Sequence, residues 1–507
     1  MSALSISNKS STLEYFLPCL NGPVKVRLDS NSSKSIQKSH KTFSNLLKNG
    51  EKIYGVTTGF GDLSSIPIDV NDQRKLQLNL IRSHATGVGK SFDPGITRII
   101  MLLKLLNWSK GVSGVRIELV LLLQDLLNHD ILPVIPRQGS VGASGDLAPL
   151  AHMALPLIGE GLVSFQDRIM PAMLAMKEVG LEPIILEPKE GLSLINGTQV
   201  STAIAIKACL DAENILKVAD LSGAISVESS LSSRSVFKSE IHKLKNHSGQ
   251  RIVAANIWKL LDKSEIVLSH KNCDRMQDPY SFRCIPQVHG ISRENYKCAK
   301  KIVENEANSV SDNPLIMPNQ KILNSGHFHA ESIAQAMDNL AIAISEIGSI
   351  SERRVHYFMK GVGDRVPPFI ASNPGLESGF MTAHVTAASL VSENKVLTHP
   401  ASVDTIPTSG GQEDFVSMAP WAGRKCLRVI DNVRNILSIE LLASTTINEL
   451  FHAPLKMANA FLPVLKLLKK HVHYSRTDRP LHSDIKLVND LIKSNQIIKC
   501  VKKYNID

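Results

Sequence analysis

Residues 139–150, GSVGASGDLAPL, hold a tripeptide, Ala143-Ser144-Gly145, that can turn its own backbone into an electrophile. Attack of the Gly145 amide nitrogen on the Ala143 carbonyl carbon closes a five-membered imidazolone ring. Loss of water from that ring, and of the Ser144 hydroxyl, leaves an exocyclic methylidene conjugated to a carbonyl. Ala143 is small enough to permit the compression, and Ser144 supplies the β-leaving group. Gly145 has no Cβ to obstruct the attack and tolerates the backbone angles of a tight loop. The product is an electron sink of a kind that ordinary side chains do not supply. Taken alone, Ala-Ser-Gly reads more simply as a turn before a helix. Position 146 is Asp, so no GxSxG surrounds Ser144 and a serine hydrolase is disfavoured.

Other loops carry groups that would serve such a centre. Tyr54, in YGVTTGFG at 54–61, is a packing or rim residue in isolation, and a proton acceptor where polar or cationic neighbours hold its phenol. Arg283, in QDPYSFRC at 277–284, is a surface charge in isolation, yet its fork can grip a carboxylate through two bonds. Pro279 in the same motif is expected to break the preceding helix and expose Tyr280. Asn196-Gly197-Thr198 reads as a turn after Ile195, and Glu413-Asp414 as a surface acidic pair. His327 and His329 are spaced like metal ligands, but no third ligand is near them in sequence, so no metal is expected. Residues 83–91, SHATGVGKS, mimic a phosphate loop. Gly89-Lys90-Ser91 fits that pattern, but His84 stands where its opening glycine belongs. Downstream, Gln124 breaks the apolar run before Asp125.

The elements that must position these residues follow from composition and period. A chain of 507 residues, 43% hydrophobic and 21% charged, can bury a large core in one elongated unit or in two or three domains. Residues 1–11 are polar, so no secretory leader is expected. Lys207, Asp211, Glu213, Lys217 and Asp220 interrupt the most apolar stretch, so no bilayer span is expected and the location is read as cytoplasmic. The seven cysteines, Cys19, Cys209, Cys273, Cys284, Cys298, Cys426 and Cys500, are scattered and form no CxxC pair. They predict neither a disulfide framework nor structural zinc. The net charge of +10 would suit nucleic acid, but aromatic residues are only 5% and no recognition module accompanies them. A solvated basic surface is the reading.

Asn21-Gly22 between short apolar runs predicts a hairpin. Beyond residue 201 the helical period dominates. Ile333, Ala336, Met337, Leu340, Ile344 and Ile347 mark one long amphipathic helix, and Leu427, Ile430, Val433, Ile436, Leu437 and Leu441 another. The expected fold is mainly α, with a core bundle of long helices over 201–507 and a mixed, loop-rich N-terminal domain over 1–200 that carries the tripeptide.

These motifs occur in the order of a known family. GASGDLAPL at 142–150 matches without a gap the signature of the aromatic amino-acid ammonia-lyases, which carry a methylidene-imidazolone (MIO) group. The chain resembles that family also at 54–61, 83–91, 196–198 and 277–284, at SDNPL (311–315), at GHFHA (326–330) and at 409–414. The resemblance implies an ammonia-lyase or fumarase/aspartase-like fold. It implies an MIO built from Ala143, Ser144 and Gly145 with no external cofactor, and a homotetramer with shared active sites. It further implies Tyr54 as the base, with Tyr280 assisting proton transfer or MIO positioning. Asn196 and Gln277 would orient the MIO and the amine, Arg283 would anchor the carboxylate, and Phe328 would pack on the ring and substrate.

Ser83-His84 and Glu413 resemble the histidine-specific members, in which His84 and Glu413 would hold the imidazole. Tyrosine- and phenylalanine-specific members usually carry His-Leu or Phe-Leu at the first place, and the phenylalanine-specific ones lack the acid. Two positions depart from the family: His327, where Asn is usual, and Phe415, where histidine enzymes have His. The implied reaction removes ammonia from L-histidine to give trans-urocanate, the first step of histidine degradation. The alternatives are a tyrosine or phenylalanine ammonia-lyase or aminomutase and, more remotely, a P-loop or nucleic-acid-binding protein. Neither a membrane nor a nucleic acid is expected as partner.

Overall fold

The computed structural model describes residues 4–271 and 275–506, so Cys273 lies outside the described residues. The chain forms two compact units. One comprises Met1–Lys207, Lys300–Met337 and Pro400–Arg424, and the other Ala208–Ala299, Asp338–His399 and Lys425–Asp507. Both are mainly helical.

In the first unit the central stave is the helix Pro94–Ser109. Proline in its first turn suits the free N–H positions there. From Ile96 to Ser109 every residue is buried, Lys104 included. The helices Ser30–Lys48 and Ile117–Asn128 pack against it. The helix Gln73–His84 packs on Leu147–Ala154 and Glu190–Ile195, the elements that flank the tripeptide loop and Asn196. Strands are short. Leu132–Pro133, Leu162–Phe165 and Arg168–Pro171 form an antiparallel sheet, and Val88–Ser91 pairs with Pro136–Gln138. Lys90 therefore stands on an exposed strand and not at a helix start, which removes the geometry a phosphate loop needs.

The hairpin expected at Asn21-Gly22 does not form. Asn21 ends the helix Leu17–Asn21 with Gly22 as its C-cap. The strands on either side, Leu4–Ile6 and Val26–Leu28, pair in parallel. The dipeptide served as a helix stop, the other role that its conformational freedom permits.

The second unit is built from long helical staves. These include residues 208–229 of Gln199–Ser229, 338–358 of Glu331–Phe358, and 425–450 of Ala419–Leu450, together with the helix Met381–Leu397. The expected stripes are real. Ile333, Ala336, Met337, Leu340, Ile344 and Ile347 are all buried, as are Ile430, Val433, Ile436, Leu437 and Leu441, while Leu427 is half-buried.

One buried set of polar groups within these staves is closely paired. Glu440 and Arg354, both fully buried, form an ion pair in which the second contact, Nη2 to Oε2, is 2.9 Å. Ser226 and Ser351 each donate a hydroxyl to the same carboxylate at 2.6 Å. Burial pushes the Glu440 carboxyl up, but the Arg354 charge and these hydrogen bonds outweigh it and hold the group below its ordinary value. Arg354→Met would leave that carboxylate buried and uncompensated, at a cost of about 3–5 kcal/mol. Urea unfolding at neutral pH should read the loss directly. Because the folded-state value is depressed, the pair's stabilisation is complete above the ordinary glutamate range and is lost as pH falls through the depressed value. The gap between native and variant should therefore narrow in acid.

Candidate active site

The tripeptide loop lies between the strand Pro136–Gln138 and the helix Leu147–Ala154. Two of its glycines are compulsory. Gly142 and Gly145 sit at φ +69° and +78°, the left-handed region that a side chain disfavours. A Cβ on Gly142 would lie 2.3 Å from Ser417 Oγ, and one on Gly145 2.2 Å from the Gly197 carbonyl oxygen.

The loop is pinned through its backbone. Ser417 Oγ donates to the Gly142 carbonyl at 2.9 Å. Met418 N donates to Val141 O at 2.8 Å, and Asp146 N to Gly197 O at 2.8 Å. Within the loop, Ser140 Oγ accepts from Gly142 N at 3.1 Å and donates to Gly145 O at 3.3 Å. Asp146 is fully buried and accepts from Ser201 N and Oγ, each at 2.7 Å. The two ends of the tripeptide are thus held together while Ala143 is only 4% exposed.

Ser144 Oγ donates to Glu413 Oε1 at 2.5 Å. The same carboxylate accepts from Thr408 Oγ1 at 2.6 Å and from Ser409 Oγ at 3.0 Å. Burial pushes the Glu413 carboxyl up, but the three hydroxyls outweigh it and keep its value low, so the group is ionised at neutral pH.

An aromatic ladder stands beside this acid. The Tyr54 and Phe60 ring centroids are 5.8 Å apart, and Phe60 meets His84 edge-on at 5.4 Å. Tyr54 Oη accepts from Gly61 N at 2.9 Å. Burial raises the Tyr54 phenol's pKa, the Gly61 amide opposes that, and the Glu413 charge adds to it. Burial lowers the His84 value, while the Leu80 carbonyl and the Glu413 charge pull it back. His84 ends the helix Gln73–His84, and its Nδ1 lies 2.8 Å from Leu80 O. The donor proton therefore sits on Nδ1, which leaves Nε2 of the neutral ring as an acceptor.

Asn196 is buried just after the helix Glu190–Ile195, and its Oδ1 has no partner. Its own backbone carbonyl accepts from Lys104 Nζ at 2.8 Å. Phe328 is half-buried. Next to it the His329 ring stacks on Phe415 at 5.9 Å, and His329 Nε2 approaches Phe415 O at 3.2 Å. Phe415 is 56% exposed, so what it covers is His329. Among the described residues no three His, Cys, Asp or Glu are grouped to hold a metal.

The structure brings together Ser144, Glu413, Tyr54 and His84 in the first unit, with Asn196 joined to the loop through Gly197. Gln277, Tyr280 and Arg283 belong to the second unit, and there they form a local group of their own. Gln277 and Arg283 line a cavity of about 570 Å³, with Arg275 and Asp278. The Arg283 guanidinium lies 4.7 Å from the centroid of the Tyr280 ring, and its Nε is buried without a partner. Tyr280 is 70% exposed. Pro279 does not end a helix as expected; it is the N-cap of the short helix Tyr280–Arg283, where its fixed φ suits a helix start. Phe282, on that turn, is buried against Tyr357 at 5.1 Å and so fixes the side from which Tyr280 and Arg283 project.

Several contributors escape a reading of the sequence. Phe60, Thr408 and Ser417 look like loop composition and gain meaning only from their contacts. Lys104 had a visible signal, as the single charge between Ile99 and Trp108 in an otherwise apolar run.

The aromatic amino acid lyase family profile matches residues 12–470. A protein of Myxococcus xanthus named histidine ammonia-lyase is 43% identical over 98% of each chain. The crystal structure of histidine ammonia-lyase from Trypanosoma cruzi superposes with a TM-score of 0.91 at 37% identity, over 99% of this chain and 95% of that one. A tyrosine aminomutase from Streptomyces globisporus gives a TM-score of 0.93 at 32% identity over the whole of both chains. With the loop, the acid and the aromatic ladder in place, these matches show that the chain belongs to the aromatic amino acid lyase family.

Proposed function

We propose that the chain is a carbon–nitrogen lyase that removes ammonia from L-histidine to give trans-urocanate, the first step of histidine degradation. The observation that carries this reading is the 2.5 Å hydrogen bond from Ser144 to Glu413. It puts the serine of the tripeptide beside an ionised acid suited to an imidazole N–H, within one cluster with His84 and Tyr54. The names of the Myxococcus and Trypanosoma relatives support the same substrate.

The residues present fit an MIO made from Ala143, Ser144 and Gly145, with no external cofactor. The Gly145–Gly197 approach leaves no room for a side chain, Ala143 is buried, and the Asn196 Oδ1 acceptor is unpaired. When formed, the ring supplies an electrophilic methylidene that accepts the substrate's neutral amine. Glu413 and His84 hold the imidazole, Glu413 as the anionic acceptor for its N–H. Arg283 anchors the carboxylate through its fork. Asn196 and Gln277 orient the amine, and Phe328 packs on the substrate ring. Tyr54 takes the β-proton after giving up its own, a loss that the Gly61 amide favours and that burial and the Glu413 charge oppose, and Tyr280 assists the proton transfer.

We infer a homotetramer with shared active sites, in which Gln277, Tyr280 and Arg283 complete the pocket. The exposure of Tyr280 and the unpaired Arg283 Nε support this. A cytoplasmic location accords with the absence, among the described residues, of any helix long and apolar enough to cross a membrane.

Ser144→Ala should abolish urocanate formation, read as absorbance growth on adding L-histidine. It should also abolish the two-water mass deficit expected of the native chain; full activity in this variant would overturn the MIO reading. Tyr54→Phe should keep the mass deficit and lose roughly 10²–10⁴-fold in kcat. A parallel assay on histidine, tyrosine and phenylalanine, with products separated to detect β-amino acids, decides the substrate and excludes or reveals an aminomutase. Glu413→Gln should lower kcat/KM for histidine by roughly 10–100-fold through loss of a charged hydrogen bond. Turnover of tyrosine with none of histidine would sink the assignment.

A further inference from the structure

Among the buried cations that the mechanism above leaves unused, Lys104 lies against the segment that carries Asn196. Lys104, fully buried in the helix Pro94–Ser109, donates from Nζ to Ser193 O at 3.0 Å and to Asn196 O at 2.8 Å. Those carbonyls close the helix Glu190–Ile195, where peptide dipoles concentrate partial negative charge and favour a cation. The next residue, Gly197, accepts Asp146 N at 2.8 Å and bridges Gly145. One chain of contacts therefore runs from the ammonium through Asn196 and Gly197 to the tripeptide.

The far side of this segment has its own anchor. Asp312 accepts from Ser193 Oγ at 2.7 Å and pairs with the buried Lys189 at 3.4 Å. Among the described residues, Lys104 is the side chain that donates to the Asn196 backbone carbonyl. Burial pushes the Lys104 ammonium down to about 7, Asp312 and Asp146 support its charge, and Lys189 opposes it. A fully buried lysine is costly, and an apolar residue in this apolar helix would avoid that cost.

We propose that Lys104 is a positioning residue for ring closure and for Asn196. Its two hydrogen bonds fix the Asn196-Gly197 segment against Gly145, so that the Gly145 nitrogen is held against the Ala143 carbonyl carbon. The inference rests on the MIO reading. In that step a bond forms between Gly145 N and Ala143 C. The first water carries off the Ala143 oxygen with the Gly145 and Ser144 amide hydrogens, and the second the Ser144 hydroxyl with its Cα hydrogen.

The test compares native protein with Lys104→Gln, Lys104→Arg and a destabilised control on the same helix, Leu105→Ala. Each is assayed for melting, for intact mass and for kcat and KM on histidine. Lys104→Gln keeps a donor without the charge. It is expected to fold, to leave most chains without the two-water deficit, and to lose at least ten-fold in kcat per cyclised chain with little change in KM. Lys104→Arg keeps the charge on a planar fork and should recover part of both. Leu105→Ala should melt early yet show the full deficit and native kcat.

Full deficit with kcat within two-fold of native in Lys104→Gln would overturn the proposal. If that variant does not fold, the same result in Lys104→Arg overturns it. Failure of the underlying reading is distinguishable, because the native chain itself would then show no deficit.

Discussion

The site depends on a backbone contact that admits no side chain. Gly145 approaches Gly197 so closely that an added Cβ would fall 2.2 Å from the Gly197 oxygen. The grips from Ser417 and Met418, and that of Asp146 N on Gly197, act on backbone atoms on either side of this contact. A loop pinned in this way keeps the two ends of the Ala143-Ser144-Gly145 unit close, the arrangement in which a backbone nitrogen can attack a carbonyl two residues away. Positioning of this kind converts an improbable encounter into a short-range one.

Electrostatics adds direction to that geometry. Glu413 gathers three hydroxyl donors in the uncyclised chain, and those of Thr408 and Ser409 remain once Ser144 has given up its own to ring formation. An ionised acid then faces a neutral His84 and a protonated Tyr54, each moved from its ordinary value chiefly by burial. The outcome is one anion among neutral donors and acceptors, well matched to an imidazole ring. It would be a poor match to a plain phenyl ring, which offers no N–H for the acid to receive.

The buried charges are arranged on the same logic. Lys104, Lys189, Asp146 and Asp312 lie in the first unit without access to water, and each is compensated by an opposite charge or by a dense set of hydrogen bonds. In the second unit Glu440 and Arg354 do the same for the long staves. Such groups contribute less through net stability than through the single arrangement they permit, because any slip leaves a charge unpaired.

Much of the chemistry was legible in the order of residues. The period of the long helices required no coordinates, because local spacing carries it; the Ala143-Ser144-Gly145 loop and the choice of His84 and Glu413 were legible through the resemblance of their motifs to a known family. Other features turned on the neighbours that folding supplied. Asn21-Gly22 stopped a helix instead of turning a hairpin, and Pro279 began one instead of ending one; the dipeptide and the proline are each compatible with both roles. The bond between Ser144 and Glu413 joins residues 269 apart in sequence, and Phe60 acquires its place between Tyr54 and His84 only from the fold. Sequence determined which reactive groups the chain owns. Tertiary structure decided which of them meet, because hydrogen bonds and burial act over a few ångströms in space and are blind to separation along the chain.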